Sequence, residues 1–461
     1  MGTVEITRVV AVVALTGLCL SATAQAAPND VPSPTVTGPI SNASSRPFFS
    51  TDVDLASVGY VEQEYFVEGS ARRYIQGVVA STGPYKTRIV VRRPAKRSNF
   101  NGVVVVEWNN VTAGYDQEYD WFASHEHLIR EGYAWVGVSA QLAGVVALKQ
   151  FNLERYGSLN ILDDQLSEDI YSQAARSLQV RNGPSPLGVL KPRILIASGH
   201  SQSTVKLVGY YNTIQPQHGL FGGFLLRGSQ TELRTDLPTK VMRVYSESDR
   251  GPEVMAASGH LDDAPDTDAY RRWDVAGTSH ASYYEKVQGN YYQQRDRGST
   301  TPADCLKPPF SRIPYQYAHN AAYDYLVRWA EGGEAPPVAP RFSTAADGVT
   351  LARDERGFVI GGVRLPDLVV PQALDTGANA GAGFCFLYGS HEPYDEATLQ
   401  QLYPTRADYL RKMDTAVLES HRAGFLLKPD AEETCRQARL ADFGWTGSAA
   451  NLPGTLRDCP V

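Results

Sequence analysis

The sequence predicts an α/β fold: a mostly parallel central sheet flanked by helices, with a C-terminal extension. Three observations carry this expectation. Short β-branched segments almost free of polar residues, such as Val103–Val106, look like strands buried on both faces. From about residue 100 onward, strand-like and helix-like segments alternate, as expected of a parallel sheet with helical crossovers. The 461 residues are 43% hydrophobic, enough for a large buried core and unlike a disordered or fibrous chain.

The elements follow in order. Arg8 precedes the apolar run Val9 to Leu20, and Ala24-Gln25-Ala26 leads into Ala27-Pro28. This reads as a secretory signal over residues 1–26, cleaved after Ala26. The run is shorter than the roughly 20 apolar residues a membrane span needs. Cys19 follows Leu18, where a lipid-anchored precursor needs a small residue. Residues 27–50, rich in Pro, Ser, Thr and Asn, are expected to form an extended lead-in without a core of its own.

A main core is expected over 51–334. Tyr60 to Ile75 alternates around Glu68-Gly69-Ser70, which suggests a hairpin turn there. Further strands are predicted at Thr87–Arg92, Gly102–Trp108, Tyr133–Val138, Arg193–Ala197, Leu220–Leu226, Val241–Ser246 and Arg272–Val275. Helices are predicted at Tyr119–Glu131, Ser167–Leu178 with Ser167 as N-cap, Gln202–Thr213, and Tyr317–Glu331 ahead of Gly332-Gly333. The Pro-rich stretch Ala335–Pro340 marks a boundary, and 335–461 is expected to pack on the core as an extension.

Composition excludes some functions. A net charge of −7 argues against nucleic-acid binding, which needs a basic face. No segment after the signal is apolar enough for a membrane helix. Cleavage would leave Cys305, Cys385, Cys435 and Cys459, an even number suited to two disulfides in an oxidising compartment. Of three connectivities, Cys435–Cys459 is favoured because it would tie down the C-terminus, with Cys305–Cys385 as its complement. The spacings contain no CxxC pair, and no metal is expected. His125 and His127, two apart on a helix, face different directions. Gly377–Gly383 lacks the strand-to-helix context of a phosphate loop.

The chemistry is expected at a serine. A serine hydroxyl becomes a nucleophile only when a base takes its proton and fixed donors hold the oxyanion. A tight strand-to-helix turn with the pattern G-x-S-x-G provides such a setting. Gly-x-Ser occurs at Ser139, Ser185, Ser201 and Ser279. Ser185 lies between prolines, Ser279 lies in a loop, and Gln141-Leu142-Ala143-Gly144 after Ser139 lacks a convincing helix start. Ser201 alone follows a clean apolar strand and precedes a helix-like run, with Ser203 in place of the final glycine.

The acid should follow at the end of a later strand. Asp249 is favoured, with Glu247 as the alternative. His280, in the loop after Trp273–Ala276, is the expected base. The oxyanion hole should combine the N–H of Gln202 with a donor after the Gly102–Trp108 strand, Asn110 or alternatively Asn109. His200 is expected to point away from the nucleophile and form a wall. Tyr283-Tyr284 and Tyr291-Tyr292 are candidates for lining a cleft.

In these residues the sequence resembles the α/β-hydrolase superfamily, and more narrowly the large exported bacterial "alpha/beta hydrolase domain" proteins. The resembling segments include VVVVEWNNVTAGYD from Val103, ASGHSQS from Ala197, YSESD from Tyr245 and YRRWDVAGTSHA from Tyr270. GFVIGGVRLPDLVVP from Gly357 extends the likeness into the tail. The resemblance implies the α/β-hydrolase fold and a triad of Ser201, Asp249 or Glu247, and His280. It does not imply a substrate. The expected function is cleavage of a small-molecule or polymer-derived carboxylic ester in the periplasm or outside the cell, with no cofactor. The rival readings are acyl transfer by the same triad, amide cleavage, and an inactive hydrolase fold serving as a binding module.

Overall fold

The computed structural model describes residues 31–41, 45–179, 183–445 and 458–461; the predicted signal 1–26 lies outside them. Among the described residues, one large sheet has nine strands in the order β1-β2-β3-β5-β4-β6-β7-β8-β9. They are β1 Thr35–Thr37, β2 Tyr60–Ile75, β3 Val78–Pro94, β4 Val103–Trp108, β5 Ala134–Val138, β6 Ile194–His200, β7 Gly223–Arg227, β8 Lys240–Ser246 and β9 Tyr270–Val275. β1, β2 and β3 pair antiparallel up to the β3–β5 contact, and every pairing from β5 to β9 is parallel. This is the mainly parallel sheet that the buried valine run predicts: all six residues of β4 are buried.

Helices α1 Tyr119–Arg130, α2 Leu142–Phe151, α3 Ser167–Ser177, α4 Gln202–Thr213, α5 Tyr283–Arg297 and α6 Tyr315–Ala330 accompany the sheet. Buried glutamates and arginines join the layers. Glu107 in β4 accepts hydrogen bonds from the N–H groups of Asp120 and Trp121 in the first turn of α1, and from Trp135 Nε1. Burial, with Asp120 nearby, pushes its carboxyl well above the usual range. Arg227 at the end of β7 pairs with Asp120 of α1 and Glu285 of α5, each at 2.9 Å. Among the described residues, no helix is long and apolar enough to cross a membrane.

Three local expectations need correction. The hairpin turn falls at Gln76-Gly77, not at Glu68–Ser70, because both turn residues take positive φ, 50° and 78°, as a two-residue hairpin requires. The lead-in supplies edge strand β1, and its Phe48 and Phe49 are buried in the main core. Ser167 is the first residue of α3 rather than its cap, because a 3₁₀ turn over Asp164–Leu166, capped by Asp163, runs directly into it. A helix does start at Leu142, which sequence pattern did not favour. Asp164 Oδ1, distant in sequence, accepts the Leu142 N–H at 2.7 Å.

The chain beyond residue 335 covers the open edge of β9. Val363 N–H donates to Asp274 O and Ala276 N–H to Val363 O, at 2.7 and 2.9 Å. Phe358, Val359, Val363, Leu365 and Leu368 join the main core. A short antiparallel pair, β10 Ala373–Thr376 with β11 Ser390–Pro393, follows. Helices α7 Arg406–Arg422 and α8 Lys428–Leu440 then form a second, smaller core around Tyr409, Leu410, Met413 and Val417. Cys305 is bonded to Cys385 and Cys435 to Cys459, with Cα atoms 5.4 and 5.7 Å apart.

Candidate active site

β4, β6, β8 and β9 all end at the same sheet edge, where open α/β sheets assemble their sites. Ser201 links β6 to α4 and holds φ 58°, ψ −118°, a region that residues other than glycine rarely occupy. Its N–H donates to Arg227 O at 2.9 Å, which fixes the turn to β7. Ser203 explains the departure from a final glycine. Its Oγ accepts from His200 N–H and donates to His200 O, at 3.0 and 2.9 Å, closing the turn. A Cβ at Gly199 would come within 3.0 Å of that Oγ and 2.9 Å of Leu207 Cδ1, so position 199 admits only glycine without rearrangement.

His280 and Asp249 meet directly: His280 Nδ1 is hydrogen-bonded to Asp249 Oδ1. Asp249 is fully buried, and its other oxygen accepts the Ser246 N–H at 2.7 Å. Glu247 is occupied elsewhere. It accepts from Gly277 N–H at 2.9 Å and pairs with Arg353 of the extension at 2.7 Å. That role was invisible without the fold, because Arg353 lies 106 residues away.

His200 does not point away as expected. Its ring lies 4.3 Å from His280 and 4.7 Å from Tyr119, with both nitrogens buried and unpartnered. Burial first, then His280 and Arg227, hold it well below the usual histidine range, so it is a neutral wall. Gly228 underlies both rings: a Cβ there would stand 2.6 Å from His280 Cε1 and 3.2 Å from His200 Cε1.

The helix N-terminus at Gln202 leaves its first N–H groups without intrahelical acceptors. The backbone N–H groups of Asn109 and Asn110 are both spent, on Val138 O and Gln117 O. Asn110 nevertheless lines the cavity. Its Nδ2 donates to His200 O at 2.8 Å and carries a second hydrogen. Asn109 is buried beside the Asp116 carboxylate and does not line the cavity.

Ser201, His200, His280 and Asn110 line one cavity of about 420 Å³. Its aromatic walls are Tyr115, Tyr119, Phe384 and Tyr388; the predicted tyrosines at 283, 284, 291 and 292 are not among them. Tyr292 instead binds Asp52, far from the serine in sequence. Sequence reasoning missed Lys286, Gln293 and Arg297, which line the cavity from α5, although their spacing of seven and four residues puts them on one helical face.

Ser139 drops out for a reason other than the one expected. A helix does follow it, but its hydroxyl is fully buried and bonded to Asp116 and Arg88. His125 and His127 are separate: His125 bonds Trp121 O, and His127 packs against Tyr133. Among the described residues no group of three or more His, Cys, Asp or Glu could hold a metal ion.

A mostly parallel sheet that ends in a strained strand–Ser–helix turn is the α/β-hydrolase architecture. The profile described as "Alpha/beta hydrolase domain" matches residues 36–436, and the chain belongs to that family. No curated protein matches the chain. Solved structures similar to it include esterase Est22, 11% identical with TM-score 0.31, covering 50% of this chain and 76% of that one. A dienelactone hydrolase from Anabaena variabilis is 14% identical with TM-score 0.29, covering 50% and 95%. XC6422 from Xanthomonas campestris, described as an a/b serine hydrolase without lid, is 13% identical with TM-score 0.28, covering 51% and 97%.

Proposed function

We propose that this hydrolase cleaves a carboxylic ester through an acyl-enzyme on Ser201. The observation that carries the reading is His280, bonded to the buried Asp249, in the same cavity wall as a serine held at positive φ. Ser201 Oγ attacks the ester carbonyl while His280 takes its proton, then returns it to the leaving alcohol. Asp249 orients the imidazole and stabilises its protonated form. The N–H of Gln202 and the second Nδ2 hydrogen of Asn110 receive the oxyanion. Water then attacks the acyl-enzyme with His280 again as base, releasing the acid and restoring Ser201.

Fluorophosphonate labelling of the wild type and Ser201→Ala, with a panel of nitrophenyl esters, tests this reading. Labelling and turnover are expected in the wild type and absent in the variant. Labelling that persists in Ser201→Ala would move the nucleophile elsewhere, and neither labelling nor turnover in the wild type would favour a binding module.

The export reading rests on Val9–Leu20, the Ala24-Gln25-Ala26 site and the two cystine pairs. N-terminal sequencing of the protein from the periplasm or medium should begin at Ala27.

A further inference from the structure

The cavity beside Ser201 has a charge character opposite to that of the molecule. The chain carries 50 acidic and 43 basic residues, yet among the described residues no Asp or Glu lines this cavity, while Lys286 and Arg297 do. Both project from one face of α5, eleven residues and about 16 Å apart along the axis. The helix start is held firmly: Ser282 and Glu285 form a capping box, and Glu285 is also paired with the buried Arg227. Lys286 is therefore presented from a fixed turn a few residues after His280.

The Lys286 ammonium has no carboxylate or hydrogen-bond partner among the described residues. It lies over the rings of Phe310 and Tyr388, at 5.6 and 5.4 Å. Two aromatic faces offset part of the cost of removing the charge from water, but they do not replace an anion. Burial accordingly lowers the group to about 8. Arg297, at the exposed end of the same face, lies 5.0 Å over the Tyr115 ring and also has no carboxylate partner among the described residues.

We propose that the ester bound here carries a carboxylate that pairs with the ammonium of Lys286 on its cavity side, with Arg297 drawing it in at the mouth. The proposal rests on the hydrolase reading above and adds the substrate class. The carboxylate supplies the counter-charge that Lys286 lacks, and no acid among the described residues lines the cavity to repel it.

Two matched ester pairs test this. The acyl-side pair is mono-4-nitrophenyl glutarate and its methyl ester; the alcohol-side pair is 4-acetoxybenzoate and its methyl ester. The wild type should prefer the anionic member of at least one pair by tenfold or more in kcat/KM. That preference ratio should fall at least tenfold in Lys286→Met, and also in Lys286→Gln should the first variant fold poorly. Because the readout is a ratio within one protein, general damage to catalysis cancels. A neutral ester equalled or preferred in both pairs, or a ratio unchanged by the Lys286 variants, overturns the proposal while leaving the hydrolase reading intact. Calorimetric titration of Ser201→Ala with monomethyl and dimethyl glutarate asks the same question without turnover. Tighter binding of the monoanion supports the carboxylate seat even if no ester is hydrolysed, and equal or weaker binding rejects it.

Discussion

The backbone N–H of His280 donates to the carbonyl of Leu387, 3.0 Å away, so a residue of the C-terminal extension holds the candidate base in place. The same N–H also reaches Ser248 Oγ at 2.7 Å, and that hydroxyl donates to Leu387 O at 3.1 Å. Leu387 lies two residues past Cys385, whose disulfide to Cys305 ties the segment down beside the cavity.

The two disulfides should therefore differ in their effect on turnover. Replacing Cys305 and Cys385 together by Ser should lower kcat/KM for a nitrophenyl ester on the order of 10- to 100-fold, the cost of small misplacements of a catalytic group. Replacing Cys435 and Cys459 should lower thermal stability with turnover kept, since that pair sits in the second core. Equal kinetic losses in the two double variants would separate Leu387 from the site.

Gly228→Ala combines backbone strain with a steric clash. At φ 67°, a side chain costs about 1–2 kcal/mol, and the new methyl would drive into His280 and His200. Gly332→Ala is the control, with φ 84° and nothing within 4 Å of a Cβ. Both variants should lose stability in urea titrations, Gly228→Ala by more because of the clash, and only Gly228→Ala should lose turnover, by roughly 100-fold.

Asp249→Asn should cut kcat by about 10⁴-fold, because a carboxamide no longer stabilises the protonated imidazole or its tautomer. Glu247→Gln should act mainly on stability. It weakens the buried link to Arg353, at a cost of about 1–3 kcal/mol, and should leave most of kcat. Steady-state kinetics beside urea unfolding separates the two. Small and equal kinetic losses would remove both carboxylates from the mechanism.

Asp367 predicts a pH dependence of stability. Burial, with Asp375 nearby, raises its carboxyl to about 6, and one oxygen is unpartnered. A folded pKa above the unfolded value means the folded state holds a proton that the unfolded state has lost. This group's contribution is therefore fully present below about pH 4 and is lost as pH rises through 6. Asp367→Asn, always neutral, should stabilise the protein at pH 8 by on the order of 2–3 kcal/mol and much less at pH 4. A difference between variant and wild type that is flat across that range would contradict the assignment.

The sequence by itself determined the parallel strands, Gln202–Thr213 as the helix behind Ser201, and a chain order of Ser201, a carboxylate left open between Asp249 and Glu247, and His280. These are local signals: a β-branched run buried on both faces, and a small-residue turn between strand and helix. Only the tertiary structure decided that His280 bonds Asp249 while Glu247 bonds Arg353, because both carboxylates end the same strand and differ only in what the distant chain brings to them. It likewise decided that His200 faces the cavity, that Phe384, Leu387 and Tyr388 wall it, and that Lys286 lies within it with no carboxylate partner among the described residues. Side-chain periodicity fixes which face a residue occupies within its own element. It carries no record of which element, a hundred residues on, packs against that face.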